Sequence, residues 1–152
     1  MSTSTIEDYL KAIYLMEIAE TGRPVNTGRI AEALSVAPGT VTSMLKTLAN
    51  SGLVRYQPYA GAHLTAAGEK LAAHVLRRHR LVELFLVEVM GMCWSEVHEE
   101  AERLEHVISE RILERMDEML ARPAFDPHGD PIPTAAGTVA RTDYPDLLTC
   151  ES

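Results

Sequence analysis

Residues 29–54 read RIAEALSVAPGTVTSMLKTLANSGLV, and this stretch decides the fold. Its first part has apolar residues at the spacing of a short helix, which Asn26 or Thr27 can cap. A tight turn follows, and Pro38 takes the first-turn position that suits proline in the next helix. That helix is apolar on one side and carries small polar residues on the other, and it ends at residues 50–52. The pattern is typical of a helix-turn-helix.

A hairpin follows the helix-turn-helix directly. Residues 53–56 and 62–64 have strand character, and a turn around Pro58 to Gly61 separates them. A hairpin at this place is a wing, and an amphipathic helix precedes the whole arrangement. We therefore predict a mainly α protein that begins with a winged helix-turn-helix DNA-binding domain over residues 1–74.

The rest of the chain predicts three more amphipathic helices, from about Thr65 to Gly91, Ser95 to His106 and Val107 to Leu120. Helices this apolar, joined to a domain too small to cover them, indicate a helical dimer interface. We place this second, all-helical domain at residues 75–133. Residues 134–152 are expected to form an irregular tail or linker.

The charge is distributed unevenly between the two halves. Residues 1–74 hold six basic and six acidic residues, whereas the remainder holds eight basic and sixteen acidic ones, so the net charge of −8 belongs to the second half. A neutral first half is compatible with nucleic-acid binding, which the total charge alone disfavours. The apolar runs are too short to span a bilayer, and MSTSTIEDYL does not resemble a signal peptide, so we expect a cytoplasmic protein with no membrane partner.

Histidine and acidic residues crowd the start of VHEEAERLEHVISERILERM, residues 97–116. On one helix, His98, Glu102 and Glu105 share a face, and His106 stands next to Glu105. Acidic residues on an amphipathic helix are usually a solvated surface, and this interpretation remains open for each residue taken alone. Carboxylates this close repel one another unless a cation neutralises them, which favours a metal site for the group.

A second pair supports the metal interpretation. His79 and Glu83 lie four residues apart in the preceding helix, and His79 falls on its otherwise apolar stripe. Imidazole and carboxylate ligands together suit Mn(II), Fe(II), Co(II) or Zn(II). The second domain is therefore predicted to bind metal as well as to form a dimer.

The spacing does not match known catalytic metal motifs. The sequence lacks H-E-x-x-H, H-x-x-E-H and E-x-x-H, and it has neither a phosphate-binding Gly-rich loop nor G-x-S-x-G. A regulatory metal fits better than a metalloenzyme, so we expect no catalytic activity. A small metal-dependent hydrolase is the alternative, and turnover without DNA would reveal it.

The sequence resembles the diphtheria toxin repressor family of metal-dependent transcriptional regulators, in particular its manganese-responsive branch. The resemblance runs in family order from about residue 4 to 133. The matching stretches are IEDYLKAIY, RIAEALSVAPGTVTSMLKTLANSGLV, LTAAGEKLA, RRHRLVELFL, VHEEAERLEHVIS and GDPIP.

The resemblance implies a homodimer that binds a palindromic operator when metal is present and represses genes for metal uptake. It implies a primary metal site at Asp8, Glu102, Glu105 and His106, and an adjacent second site at His79, Glu83 and His98. The similar iron-responsive branch carries Met in place of Asp8 and Cys in place of Glu102, and an oxygen-rich pair suits Mn(II) better. We therefore expect Mn(II), with Fe(II) as the alternative and Zn(II) or Co(II) able to bind in vitro.

The predicted DNA contacts lie on the second helix of the helix-turn-helix and at the start of the first. They are Thr27, Pro38, Gly39, Thr40, Thr42, Ser43 and Lys46, of which Lys46 is assigned to phosphate. Thr40 fits a helix cap equally well. In the wing, Tyr56, Tyr59 and His63 either reach the minor groove or pack on their own domain.

One alternative function remains open from the sequence. The chain could be a winged-helix transcription factor that metal does not gate, with the acidic cluster only a solvated surface. DNA binding unaffected by a chelator would support that alternative.

Overall fold

The computed structural model describes residues 3–20 and 22–135 of the 152-residue chain. Within those ranges it contains six helices and one two-stranded antiparallel sheet: α1 (Thr3–Ala19), α2 (Thr27–Leu34), α3 (Pro38–Asn50), β1 (Val54–Gln57), β2 (Gly61–Leu64), α4 (Ala66–Glu88), α5 (Trp94–Leu104) and α6 (Glu110–Met119). The chain divides into two compact units, Met1–Ala73 and His74–Ser152, and α4 contributes residues to both. The mainly α architecture with an early helix-turn-helix and wing is as predicted.

Local sequence signals set the helix-turn-helix. The Asn26 side chain caps α2 by accepting a hydrogen bond from the Gly28 N–H at 2.7 Å, so Asn26 rather than Thr27 is the cap. Ser35 ends α2 in the left-handed region with φ 55°, and Pro38 begins α3 as its first residue. The two helices and α1 enclose an apolar core that includes Leu10, Ile13, Ile30, Val41, Leu45 and Leu48.

The wing is anchored to the segment before α2. Strands β1 and β2 pair with Val54 opposite Leu64, and Ala62 also exchanges two backbone hydrogen bonds with Val25, at 2.8 and 3.0 Å. Gly61 makes this approach possible because its φ is +122° and a Cβ there would lie 2.4 Å from the Val25 carbonyl oxygen.

The start of α4 is packed closely against Gly52 and Leu53, the two residues just before β1. The Thr65 hydroxyl accepts from the Gly68 N–H at 3.1 Å and donates to the Gly52 carbonyl at 2.7 Å. The Thr65 N–H donates to the Leu53 carbonyl at 3.0 Å. That same carbonyl oxygen lies only 2.0 Å from the position a Cβ would take on Gly68.

The second unit is built from the rest of α4 together with α5, α6 and the segment after α6. Two apolar clusters hold it together, one around Leu81, Leu84, Leu113 and Ile132, the other around Val82, Leu86, Val97 and Ala101. Residues 121–135 form no helix, but Arg77 and Arg80 of α4 donate to the carbonyls of Pro133 and Pro131. This irregular segment is therefore packed against α4.

Two helices of the second unit have bounds that differ from the predicted ones. Helix α5 ends at Leu104 and α6 spans Glu110–Met119, so the predicted continuation of α5 to His106 and start of α6 at Val107 were wrong. Of the tail predicted for residues 134–152, residues 136–152 lie outside the described part of the chain. Among the described helices, none is long and apolar enough to cross a bilayer.

Candidate metal centre and nucleic-acid interface

A buried histidine of α4 lies between two carboxylates of the second unit. The Nε2 atom of His79 is 2.7 Å from Oε1 of Glu83, one helical turn along α4, and its Nδ1 is 2.9 Å from Oε2 of Glu105. The exposed fractions of the three side chains are 6%, 3% and 0%. Groups this polar are seldom removed from water unless they bind one another or an ion.

Glu105 fixes the orientation of the His79 ring. A carboxylate only accepts hydrogen bonds, so Nδ1 of His79 donates its proton to Glu105 and Nε2 is directed at Glu83. Because Nε2 of His79 lies only 2.7 Å from the Glu83 oxygen, a proton must lie between the two atoms, or a cation must take its place. A second carboxylate behind a metal-binding imidazole is the usual way in which proteins set ring orientation and raise ligand basicity.

The third member of the predicted second site joins this pair. His98 on α5 has Nδ1 4.0 Å from Oε2 of Glu83, and its ring meets that of His79 edge to face at 4.9 Å between centroids. Each of His79, Glu83 and His98 offers a ligand atom within 4.8 Å of the others. The structure thus brings together the three residues predicted for the second site.

One oxygen of Glu83 gives an independent indication of a cation. Its Oε2 is buried, and none of the described residues donates a hydrogen bond to it. The nearest ring nitrogens are Nδ1 of His128 at 3.7 Å and Nδ1 of His98 at 4.0 Å. Burying a carboxylate oxygen without a hydrogen-bond donor costs roughly several kcal/mol of desolvation free energy, unless a positive charge lies beside it. These residues therefore fit a divalent ion.

Two more potential ligands come from the segment after α6, and the sequence interpretation missed both. Asp126 and His128 each place a ligand atom within 4.8 Å of Glu83 and of each other. Burial raises the pKa of Asp126, and the hydrogen bond from the Asp130 N–H at 2.8 Å acts in the opposite direction. His128 also meets the Trp94 ring edge to face at 5.1 Å. The signal available in the sequence was the run Asp-Pro-His-Gly-Asp at residues 126–130.

The four residues predicted for the primary site differ in burial and in the side chains that they contact. Glu105 follows the end of α5 and is fully buried, and its Oε1 lies 3.4 Å from Nε2 of the half-buried His106. Glu102 is half exposed on α5, and its Oε1 contacts Nε2 of His98 at 3.1 Å. Asp8 lies on α1 in the first unit and is half-buried. Within the second unit, then, Glu105 and His106 lie together and Glu102 pairs with His98.

The predicted DNA contacts lie on the open side of the helix-turn-helix. Pro38, Gly39, Thr40, Ser43 and Lys46 are exposed, and Thr27 and Thr42 are half-buried. Helix α3 has Ala37 as its N-cap and no side-chain cap, so Thr40 does not cap it. In the wing, Tyr59 is fully exposed, whereas Tyr56 is half-buried and His63 lies 3.7 Å from Glu17.

A winged helix-turn-helix followed by a helical unit with a buried imidazole–carboxylate cluster defines a class of protein, the metal-responsive DNA-binding regulators. Two family models cover nearly all the described residues. The iron-dependent repressor N-terminal DNA-binding domain matches residues 1–62, and the iron-dependent repressor metal-binding and dimerisation domain matches residues 65–134. The chain therefore belongs to the iron-dependent repressor family, as the sequence resemblance predicted.

Individual relatives support the same family. The chain is 43% identical over 114 residues to an uncharacterized HTH-type transcriptional regulator of Methanocaldococcus jannaschii, covering 75% of this chain and 90% of that one. It is 42% identical over 129 residues to the iron-dependent repressor IdeR of Mycobacterium tuberculosis, covering 85% of this chain and 55% of the relative. The chain thus spans about half the length of this repressor.

A solved structure of a manganese-dependent transcriptional repressor in complex with manganese shares the fold. It superimposes with a TM-score of 0.82 at 42% identity, over 90% of this chain and 62% of that one.

Proposed function

We propose that the protein is a metal-activated transcriptional repressor that binds a palindromic DNA operator as a homodimer and controls metal-uptake genes. The observation that carries the proposal is the buried His79 between Glu83 and Glu105, with a Glu83 oxygen that no described residue supplies with a hydrogen bond. As a repressor acts on the chromosome, we place it in the cytoplasm and assign it no catalytic role.

The proposed ligands follow from the donor atoms of the second unit. His79, Glu83 and His98 form the second site, with Asp126 and His128 adjacent to it through Glu83. Glu105 and His106 are proposed for the primary site, to which the family resemblance adds Asp8 and Glu102. Nitrogen and carboxylate oxygen donors suit Mn(II) or Fe(II), and we propose Mn(II) as the preferred ion, with Zn(II) and Co(II) able to bind in vitro. A bound ion would supply the positive charge that these carboxylates need.

The protein residues have separate tasks in this proposal. Glu105 holds the Nδ1 proton of His79 and so directs Nε2 toward Glu83. In the first unit, α3 presents exposed Thr40, Ser43 and Lys46 for the major groove.

The surface of the second unit supports the homodimer. Several large apolar side chains are exposed on it, between 48% and 76%: Val89, Met90, Val107, Ile112 and Met119. Exposed apolar side chains mark an interaction surface where they lie together, so these five are the proposed contacts of the homodimer. A family model that describes this unit as a dimerisation domain supports the same proposal.

The test is selective recovery of DNA at one fixed salt concentration, because affinity for DNA depends steeply on salt. Fragmented host DNA is incubated with the purified protein and Mn(II), with Fe(II) under anaerobic conditions, or with a chelator. We expect a few fragments to be recovered with metal and none selectively with chelator. Equal recovery with chelator would instead support the winged-helix factor that metal does not gate.

A matched pair of variants tests the assigned ligands. Glu105→Gln should retain the His79 hydrogen bond and the fold but lose metal-dependent recovery, because the amide has no charge for a cation. Glu99→Gln makes the same chemical change on the exposed surface of α5 and should behave as the wild type. Equilibrium dialysis with Mn(II) measures ion binding directly, and an unchanged isotherm for Glu105→Gln would contradict the assignment of Glu105.

A further inference from the structure

We propose that Asp117 is a positioning residue for the metal cluster, because it fastens the base of the loop that presents Asp126 and His128 to Glu83. The loop comprises residues 122–133 and is called the ligand loop below. This inference rests on the proposed function and adds a residue that is not among the proposed ligands. All the contacts that carry it lie within the second unit.

Asp117 occupies a position of α6 where an apolar residue is expected. Leu113 and Asp117 are the buried residues of α6, and they lie four residues apart on one face of the helix. The side chain of Asp117 is only 8% exposed. Burying a carboxylate costs free energy unless cations and hydrogen bonds satisfy it, so the location of Asp117 depends on its partners.

One oxygen of Asp117 joins the two ends of the ligand loop. Its Oδ2 accepts from Nη1 of Arg122, the first residue of the loop, at 3.0 Å. The same oxygen accepts from Nη2 of the buried Arg77 at 3.4 Å. Nη1 of Arg77 donates in turn to the carbonyl of Pro133, the last residue of the loop, at 3.3 Å. A single carboxylate therefore fastens both ends of the loop.

The chain enters the ligand loop in a strained conformation. Ala121 and Arg122 have φ values of 58° and 53°, in the left-handed region that residues other than glycine seldom adopt. Such a conformation persists only where surrounding contacts hold it. Here the backbone N–H of Arg122 donates to the Asp117 carbonyl at 2.8 Å, and its guanidinium pairs with the Asp117 carboxylate. Without that carboxylate, the base of the loop should relax to another position.

The ligand loop is closed by its own hydrogen bonds, so a shift of its base reaches its tip. The N–H of Ile132 donates to the Ala124 carbonyl at 2.8 Å. Nearer the tip, the N–H of Asp126 donates to the Asp130 carbonyl at 2.8 Å. Oδ1 of Asp126 also accepts from the N–H groups of His128 and Asp130, at 2.9 and 2.8 Å. The tip is therefore fixed relative to the base.

The tip brings two potential ligands to Glu83. Nδ1 of His128 lies 3.7 Å from Oε2 of Glu83 and 3.7 Å from Oδ2 of Asp126. Ligand distances in a good metal site stay within about 0.2 Å of their ordinary values. Even a small movement of the base would therefore weaken the binding of an ion that these three residues share.

The test is a double-mutant cycle, measured by equilibrium dialysis of the full 152-residue chain with Mn(II). The four proteins are the wild type, Asp117→Asn, His128→Ala and the double variant. Groups that orient a metal ligand directly contribute about 10–100-fold in affinity. Asp117 acts one step further away, so Asp117→Asn should weaken one ion several-fold. In the His128→Ala background the same change should have little further effect, because the imidazole that the loop positions is absent.

A matched control separates this effect from a general loss of negative charge. Glu110→Gln removes one charge from an exposed position of the same helix and should bind Mn(II) as the wild type does. Equal weakening by Asp117→Asn in both backgrounds would mean that Asp117 only stabilises the unit, and it would overturn the proposal. An unchanged isotherm for Asp117→Asn or for His128→Ala would overturn it as well.

Urea unfolding in the presence of a chelator shows whether each variant is folded. If Asp117→Asn is not, Arg122→Gln removes the other partner of the same contact from a side chain that is 62% exposed. That variant should give the same pattern with a smaller factor, and additive effects with His128→Ala would again contradict the proposal. A wild type that binds neither Mn(II) nor Fe(II) would instead contradict the proposed function itself.

Discussion

Replacing Gly68 with alanine should destabilise the first unit, although alanine is the better helix former. Gly68 is the third residue of α4 and is buried. A Cβ at this position would lie 2.0 Å from the Leu53 carbonyl oxygen, 3.0 Å from its carbon and 3.3 Å from Cδ2 of Leu64. The backbone oxygen cannot rotate away as a side chain would, so either α4 or the backbone at Leu53, just before β1, must move.

The expected loss of stability combines two destabilising effects and one stabilising effect. Overpacking against a backbone atom costs about 1–3 kcal/mol. Moving the Leu53 carbonyl also weakens its hydrogen bond from the Thr65 N–H, now 3.0 Å long, which contributes roughly 0.5–1.5 kcal/mol. Alanine stabilises the helix by about 1 kcal/mol relative to glycine. The net destabilisation is about 1–3 kcal/mol, and for a unit of this size it should lower Tm by about 5–20 °C.

Thermal unfolding followed by circular dichroism, in the presence of a chelator, measures this effect. Gly39→Ala is the matched control, since Gly39 is the second residue of α3 and no atom lies within 4 Å of the position its Cβ would take. We expect that variant to be at least as stable as the wild type. A Gly68→Ala protein with unchanged or higher Tm would refute the argument that the Leu53 carbonyl fixes the identity of residue 68.

Two further predictions concern single side chains of the first unit. Asn26→Ala should destabilise it by about 1 kcal/mol in urea unfolding, because α2 loses its cap, whereas Asn26→Asp should retain most of the stability; equal losses would contradict the capping role. Burial raises the pKa of Glu17 despite its hydrogen bond from the Leu64 N–H. The folded state therefore binds the extra proton, and wild-type stability gains as pH falls through the raised pKa toward the ordinary value near 4.5. The stability of Glu17→Gln relative to the wild type should accordingly decrease from neutral pH to about pH 4.5, and a difference independent of pH would contradict this sign.

The helix-turn-helix could be predicted in detail because its signals are local. Adjacent residues mark both ends of α3, with Pro38 at its first position and Ser51-Gly52 after its last. The helix spans Pro38–Asn50, so it begins at the predicted residue and ends within the predicted range 50–52. The same holds for the wing, whose turn residues separate two short strands. Each of these signals acts within a few residues of the element that it defines.

The metal cluster could be predicted only in part because it depends on tertiary packing. His79 and Glu83 share a helix face, so their spacing was sufficient to pair them. The end of α5 at Leu104 follows from packing, since Glu105 turns inward to His79 and Glu102 remains at the surface beside His98. Helical periodicity gives no information on such a change of direction.

Asp126 and His128 show the limit of pattern-based analysis most clearly. They lie in a segment without helix or strand, far along the chain from Glu83. The segment is held in place by the arginines of α4, which bind its carbonyl groups. Only the folded chain shows that its side chains join the cluster.

Trp94, whose ring meets that of His128 edge to face, is an intrinsic fluorophore located beside the metal cluster. Trp94 is the single tryptophan of the chain, so all of its indole fluorescence comes from one place. A paramagnetic ion such as Mn(II) quenches indole emission at short range, whereas diamagnetic Zn(II) changes it chiefly through the charge on the neighbouring imidazole. Emission spectra recorded during titration with the two ions would therefore report occupancy beside His128 without any label.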